Sequence, residues 1–310
     1  MSIFHAPIMV SEIMELMNPG RCGIYIDGTL GGGGHSKVIL SLMGDGSRLF
    51  GIDRDEDAIA EAKSTINDDR FTAVRGNFFD INKIMNTLNI SGVDGILLDL
   101  GVSSHQLDDA SRGFSYNSDA GLDMRMDKSQ PFSAYDVVNT YSQDDLRRII
   151  FEYGEERFAS RVANAIVRQR NIEPIENTLR LAEIIKLAIP TAAARSERQH
   201  PARRTFQAIR IEVNSELKGL DKAVSDAHDA LNKDGVLSIL TFHSLEDRIV
   251  KTAFKRFEDP CVCSKKAPVC TCGLKATVEI LTKRPLTAGA DEISNNPRAK
   301  SAKLRAIKKL

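Results

Sequence analysis

The eight residues after Asp27 carry the first chemical suggestion in this chain. The run Gly23-Ile-Tyr-Ile-Asp27 ends in an acid and leads into Gly28-Thr-Leu-Gly-Gly-Gly-Gly-His35. Each glycine costs roughly 0.5–1 kcal/mol against alanine in regular structure. Four in a row between a strand and a helix point to backbone that must lie against a ligand, at the carboxyl end of a parallel sheet. Asp27, just before the loop, would repel a pyrophosphate and attract a cation. A second acid, Asp53, follows Gly33 by 20 residues, the spacing at which a carboxylate accepts hydrogen bonds from ribose hydroxyls. A third, Asp99, closes Val93-Asp-Gly-Ile-Leu-Leu-Asp99. The phosphate loop G-x-x-x-x-G-K-[ST] is absent, because His35 and Ser36 follow the last glycine. The dinucleotide pattern G-x-G-x-x-G fails as well: counted from Gly31 and Gly33, its sixth position is Ser36. An adenosine carrying a positive sulfonium and an amino-acid tail fits these features better than a nicotinamide dinucleotide, and the indicated cofactor is S-adenosylmethionine.

The elements that must position these residues follow from the pattern around them. Strands are expected at Gly23–Asp27, Arg48–Asp53, Phe71–Arg75 and Val93–Asp99, with helices at Ser36–Met43, Asp55–Ile66 and Ile81–Leu88. Short apolar strands alternating with helices imply βαβ units and a parallel sheet covered on both faces. From about Gln106 the pattern changes: 107–135 reads as irregular, 142–171, 177–189 and 205–231 as helical, the last ending at a stop signal, Asp234-Gly235. Strand and helix signals resume with Val236–Phe242, a helix Ser244–Phe257 with Ser244 as its N-cap, and β-prone runs at Thr277–Leu281 and Ala302–Ile307. This gives an α/β fold of residues 1–105 and 214–310, interrupted by a mostly helical insertion of 106–213.

Composition limits the function classes. The 310 residues are 42% hydrophobic and 27% charged, and 42 Lys and Arg balance 42 Asp and Glu. Disordered, collagenous and coiled-coil classes are excluded, and binding to a polyanion must come from local patches. No apolar run approaches the ~20 residues of a membrane span. The N-terminus lacks a basic region before Glu12, so no signal peptide is expected and the chain reads as cytoplasmic.

Several long runs resemble the bacterial small-subunit ribosomal RNA (cytosine-N4)-methyltransferase family. They are Tyr25–Ser36, Asp94–Ser104, Leu122-Asp-Met-Arg-Met-Asp127, Tyr153-Gly-Glu-Glu-Arg-Phe158, His200-Pro-Ala-Arg-Arg-Thr-Phe-Gln-Ala-Ile-Arg210, Phe242-His-Ser-Leu-Glu-Asp-Arg248 and Asn296-Pro-Arg-Ala-Lys300. The resemblance implies a class I methyltransferase fold, Rossmann-like with a mostly parallel sheet, in which the helical insertion recognises substrate. It also implies S-adenosylmethionine as donor and a cytosine in the decoding centre of the small ribosomal subunit as acceptor. Its cofactor contacts fall on Gly33, Gly34, His35, Asp53, Phe78, Asp99 and Gln106; His105 stands where the family usually has proline.

The implied acceptor, the N4 amine of cytosine, is a poor nucleophile because its lone pair is delocalised. Asp99 is one candidate to accept from that amine, and His243, just past a strand, is the other. Grip on RNA is expected from Arg203, Arg204 and Arg210, in a stretch that also holds Arg195 and Arg198 against the single acid Glu197, and from a basic tail beginning at Arg298. Finally, Cys261-Val-Cys263 and Cys270-Thr-Cys272 form two C-x-C pairs. Four thiolates could hold a structural zinc ion; a reduced, metal-free loop is the alternative.

Overall fold

The alternating pattern resolves, in a computed structural model, into one seven-stranded sheet. The structure describes residues 7–196, 199–264 and 271–310. The strands are β1 (Ile24–Asp27), β2 (Arg48–Asp53), β3 (Phe71–Arg75), β4 (Val93–Asp99), β5 (Leu231–Thr241), β6 (Val278–Ile280) and β7 (Lys303–Lys309), in the order β3-β2-β1-β4-β5-β7-β6. The first five strands pair in parallel, whereas β7 runs antiparallel to both β5 and β6. This is the mostly parallel sheet that the resemblance implies. The chain divides into two compact units, one of residues 1–101 with 217–310 and one of 102–216.

In the first unit, strand side chains alternate between two cores because successive Cβ atoms point to opposite faces. Along β4, Ile96 and Leu98 enter one core with Phe50, Ile52, Val250 and Phe254; Leu97 enters the other with Tyr25, Leu49, Ile39 and Leu304. Burial on both faces explains why these strands read as continuous apolar runs. A helix not expected from the sequence, Val10–Met17, contributes Ile13, Met14 and Met17 to the second core. Glu12, half-buried, and Glu15, exposed, break up its apolar run and mask the buried face in the sequence.

In the second unit, helices Gln143–Glu152, Ala159–Arg170, Thr178–Ala188 and Arg203–Asn214 bury Leu146, Ile149, Ile150, Val162, Ile166, Leu181, Ile185, Phe206 and Ile209 in one core. Apolar residues recurring every three to four positions form this face.

Two expectations need correction. The helix anticipated over 205–231 is two helices, Arg203–Asn214 and Leu220–Ala230, parted where Ser215 (φ +51°) and Gly219 (φ +89°) take left-handed backbone. Asp234-Gly235 stops no helix: it lies inside β5, where Asp234 has φ +63° and the register against β4 shifts between Val93 and Gly95. The turn signal there marks a bulge. Among the described residues, no helix is long and apolar enough to cross a membrane.

Candidate active site

Between β1 and β4 the strand order reverses, since β2 and β3 lie on one side and β5 on the other. Open α/β sheets bind ligands in the crevice at such a switch point. Asp27, Asp53 and Asp99 are the last residues of β1, β2 and β4, so the parallel register brings all three to one rim.

The glycine loop is tied to its neighbours through backbone. Gly28 N–H donates to the Leu97 carbonyl at 2.8 Å and Leu30 N–H to the Ile52 carbonyl at 2.9 Å. A Cβ on Gly28 would lie 2.5 Å from Cδ2 of Leu98 and 3.2 Å from Cβ of Phe78. Only a bare backbone fits there, and Phe78 is thereby placed beside the loop. Gly33 has φ +76° and caps helix Gly34–Leu42; its Cβ would meet Cδ1 of Ile66 at 2.7 Å.

The acids are held by partners of different kinds. Asp27 is 1% exposed, accepting from Ser36 Oγ at 2.7 Å and from Thr29 N–H at 3.3 Å. Burial pushes its pKa up, against the opposing pull of His35 and Ser36. Asp53 accepts from Gly31 N–H at 2.8 Å and Asp55 N–H at 2.9 Å, which fastens the loop to β2. Its pKa too is raised, by burial, with those two amides opposing. Asp99 anchors through its own N–H to Thr29 Oγ1 at 2.6 Å, and its side chain keeps 26% of its surface accessible. Burial pushes Asp99 up to about 6; His35 opposes, while Asp27 and Glu246 add to the rise.

His35 joins these groups. Its Nε2 lies 2.9 Å from the Ile8 carbonyl, which can only accept, so Nε2 carries a proton. Nδ1 then faces Oδ2 of Asp99 at 3.7 Å. His243 sits on the far side of Asp99's strand, at the end of β5. It, and not Ser244, is the N-cap of helix Ser244–Glu258, forming a capping box with Glu246. The His243 ring stands where the chain is still extended, so its Nδ1 can reach the Glu246 N–H, at 3.4 Å. Nε2 is 3.1 Å from Oε1 of Glu246 but off line for a hydrogen bond. Glu246, 2% exposed, also accepts from Phe242 N–H at 2.9 Å.

In the second unit, Gln106 forms a capping box with Ser103 at the start of helix Ser104–Asp108, each accepting from the other's backbone N–H. Arg203 and Arg204 begin helix Arg203–Asn214, and Arg204 Nη1 donates to the Glu155 carbonyl at 3.3 Å. Arg210 holds Glu216 with two hydrogen bonds, of 2.9 and 2.8 Å. The basic tail is β7 and its approach: Arg305 and Lys303 pair with Asp247, Lys308 with Glu279, and Lys309 donates to three backbone carbonyls. Cys261, Cys263 and Cys272 come together in a loop, whereas Cys270, Glu197 and Arg198 lie outside the described residues.

Sequence reasoning missed Thr29, Ser36 and Glu246. None had a usable signal: the partners of Thr29 and Ser36 are chosen by the fold, and the capping type Ser244 points three residues on to Asp247 rather than to Glu246.

The residues present suit S-adenosylmethionine. Gly28 and Gly33 leave a cradle that any side chain would fill, and the donor set around it is carboxylate, matched to a cationic ligand and hostile to phosphate. The comparisons agree with a methyltransferase. Ribosomal RNA small subunit methyltransferase H of Clostridium botulinum (strain Loch Maree) is 50% identical over 311 residues, covering 100% of both chains. The protein of the same name from Brevibacillus brevis is 49% identical over 312 residues, covering 100% of this chain and 99% of the other. Among solved structures, an rRNA methylase from Streptococcus thermophilus aligns over 97% of this chain and 93% of its own, at 9% identity and a TM-score of 0.40, too distant to weigh. Residues 2–310 match the MraW methylase family, and with a glycine cradle ringed by strand-end acids at the switch point, the chain belongs to that family.

Proposed function

We infer that this chain transfers a methyl group from S-adenosylmethionine to N4 of a cytosine in small-subunit ribosomal RNA, in the decoding centre. The observation that carries this reading is the convergence of Asp27, Asp53 and Asp99 around the glycine loop, in a chain half identical to small-subunit rRNA methyltransferases over its whole length. Asp53 grips the ribose, Phe78 packs on adenine, and Gly33, Gly34 and His35 line the path of the methionine tail. The assignment of Gln106 to the cofactor rests on the family resemblance alone.

When bound, S-adenosylmethionine supplies an electrophilic methyl group on a sulfonium. Asp99 accepts an N–H of the cytosine amine. With a pKa of about 6 it is mostly ionised at neutral pH, and accepting from the amine helps the nitrogen pyramidalise. No strong base is required, since the methylated amine is acidic and sheds its proton. Holding nucleophile and methyl in line is the larger contribution, worth up to roughly 7–11 kcal/mol in favourable cases. His243 is the second candidate for the amine; its 8% exposed ring and its capping of Glu246 favour a positioning role. Stacked bases are out of reach, so the cytosine enters turned out of its helix or already unpaired.

The helical unit recognises the subunit, with Arg203 and Arg204 on phosphate, while Arg210 keeps its helix end in place through Glu216. None of these roles calls on the cysteine loop. The work belongs in the cytoplasm, where subunits are assembled. The test is to incubate the protein with methyl-labelled donor and small subunits from cells lacking it, then digest the RNA to nucleosides. Label in N4-methylcytidine at a single position is expected; label in another nucleoside, or none, would refute the reading.

A further inference from the structure

Among the described residues between helix Ser244–Glu258 and β6, none lies in a helix or strand. None of them is buried, and Val262 is 79% exposed. Yet three sulfurs from opposite arms of the loop converge: Sγ of Cys261, Cys263 and Cys272 all lie within 4.8 Å of one another. Cys261 and Cys272, 11 residues apart, are separated by 3.8 Å between sulfurs. That is the edge of a tetrahedron: zinc–sulfur bonds of about 2.3 Å place two thiolates about 3.8 Å apart. A disulfide would require about 2.05 Å, and none of the three cysteines is in one. The Thr271 N–H donates to Sγ of Cys263 at 3.4 Å, a contact that favours thiolate over thiol.

We propose that Cys261, Cys263 and Cys272 ligate a structural zinc ion that staples this loop. Soft thiolates converging from two stretches of chain select zinc over hard cations. Cys270 lies outside the described residues, and the site stands on the other three. Its place argues for structure over catalysis, because β6 is the sheet's edge strand, parted from β4 by β5 and β7. The three-residue β6 follows directly, so the ion holds together the approach to an edge that has little burial of its own.

The test reads metal and needs neither donor nor RNA, so it stands or falls apart from the methyltransferase reading. Purified protein should contain about one zinc per chain. Cys261→Ser, Cys263→Ser and Cys272→Ser should each lose it, while Cys22→Ser keeps it. Cobalt put in place of the zinc should show thiolate-to-metal absorption in the near ultraviolet. Stripping the wild-type protein with a chelator should expose the loop to trypsin, and added zinc should restore resistance, which keeps the test valid if a serine variant folds poorly. Metal-free protein with every thiol titratable, a disulfide among these cysteines, iron in place of zinc, or full zinc in Cys272→Ser would each overturn the proposal.

Discussion

Asp99 holds its proton to a higher pH than an exposed aspartate, about 6 against an ordinary 3.8. Between those values the folded chain keeps a proton that the unfolded chain has lost. Asp99 therefore favours the folded state at low pH, and that contribution is lost as pH rises through about 6. A cationic ligand beside it reverses the preference by stabilising the carboxylate. Binding of S-adenosylmethionine should then release protons near pH 6 and none from this group at pH 8. Calorimetry in two buffers of different ionisation heat would show this as an apparent enthalpy that depends on buffer at pH 6, and Asp99→Asn should abolish the dependence. An equal enthalpy in both buffers at pH 6 would remove Asp99 from the donor site. The three acids were legible in the sequence because each closes an apolar run, and strands that end together must end on one rim. The environment that raises Asp99 was not: His35, Asp27 and Glu246 reach it from three elements, a matter of tertiary packing.

Elements were legible where one periodicity held throughout. β1, β2 and β4, buried on both faces, show as apolar runs, and helix Gln143–Glu152 shows its stripe of Leu146, Ile149 and Ile150. Where one residue type serves two purposes, pattern misleads. Asp234-Gly235 carries a helix-stop composition but makes a bulge in β5, and Ser244, the favoured capping type, gives way to His243 because the histidine is the residue still in extended backbone (φ −141°, ψ 165°). The glycine loop is the element whose geometry most constrains the site. Gly33→Ala would force a Cβ onto φ +76° and within 2.7 Å of Ile66. Left-handed backbone alone costs roughly 1–2 kcal/mol for a non-glycine residue, so the melting temperature should fall by several degrees, with weaker donor binding. An unchanged melting curve would mean that the loop tolerates a side chain and that the cradle is not tight.

For the whole molecule, equal numbers of acids and bases leave no net field to draw in RNA, so a local surface must do it. The basic tail proves to be β7, whose Arg305, Lys303 and Lys308 already face carboxylates; a run of like charges in sequence said nothing of those partners, which come from Asp247 and Glu279. Arg203 and Arg204 head a helix of the second unit instead. Replacing both with alanine should weaken RNA binding and make its logarithmic dependence on salt shallower by roughly 1.5, at about 0.7–0.9 for each phosphate no longer neutralised, with donor affinity unchanged; an unaltered slope would exclude a role on phosphate. All of this presupposes that the rim of β1, β2 and β4 holds a sulfonium donor with Asp53 on its ribose. The most direct measurement is a calorimetric titration of S-adenosylmethionine into wild-type and Asp53→Ala protein, with NAD as the competitor. We predict saturable binding at one site, weakened by roughly 10- to 100-fold in Asp53→Ala, as expected for losing a hydrogen bond to a charged group worth about 1.5–3 kcal/mol, and no binding of NAD. Tight binding of NAD, or S-adenosylmethionine bound equally well without the Asp53 carboxylate, would contradict it.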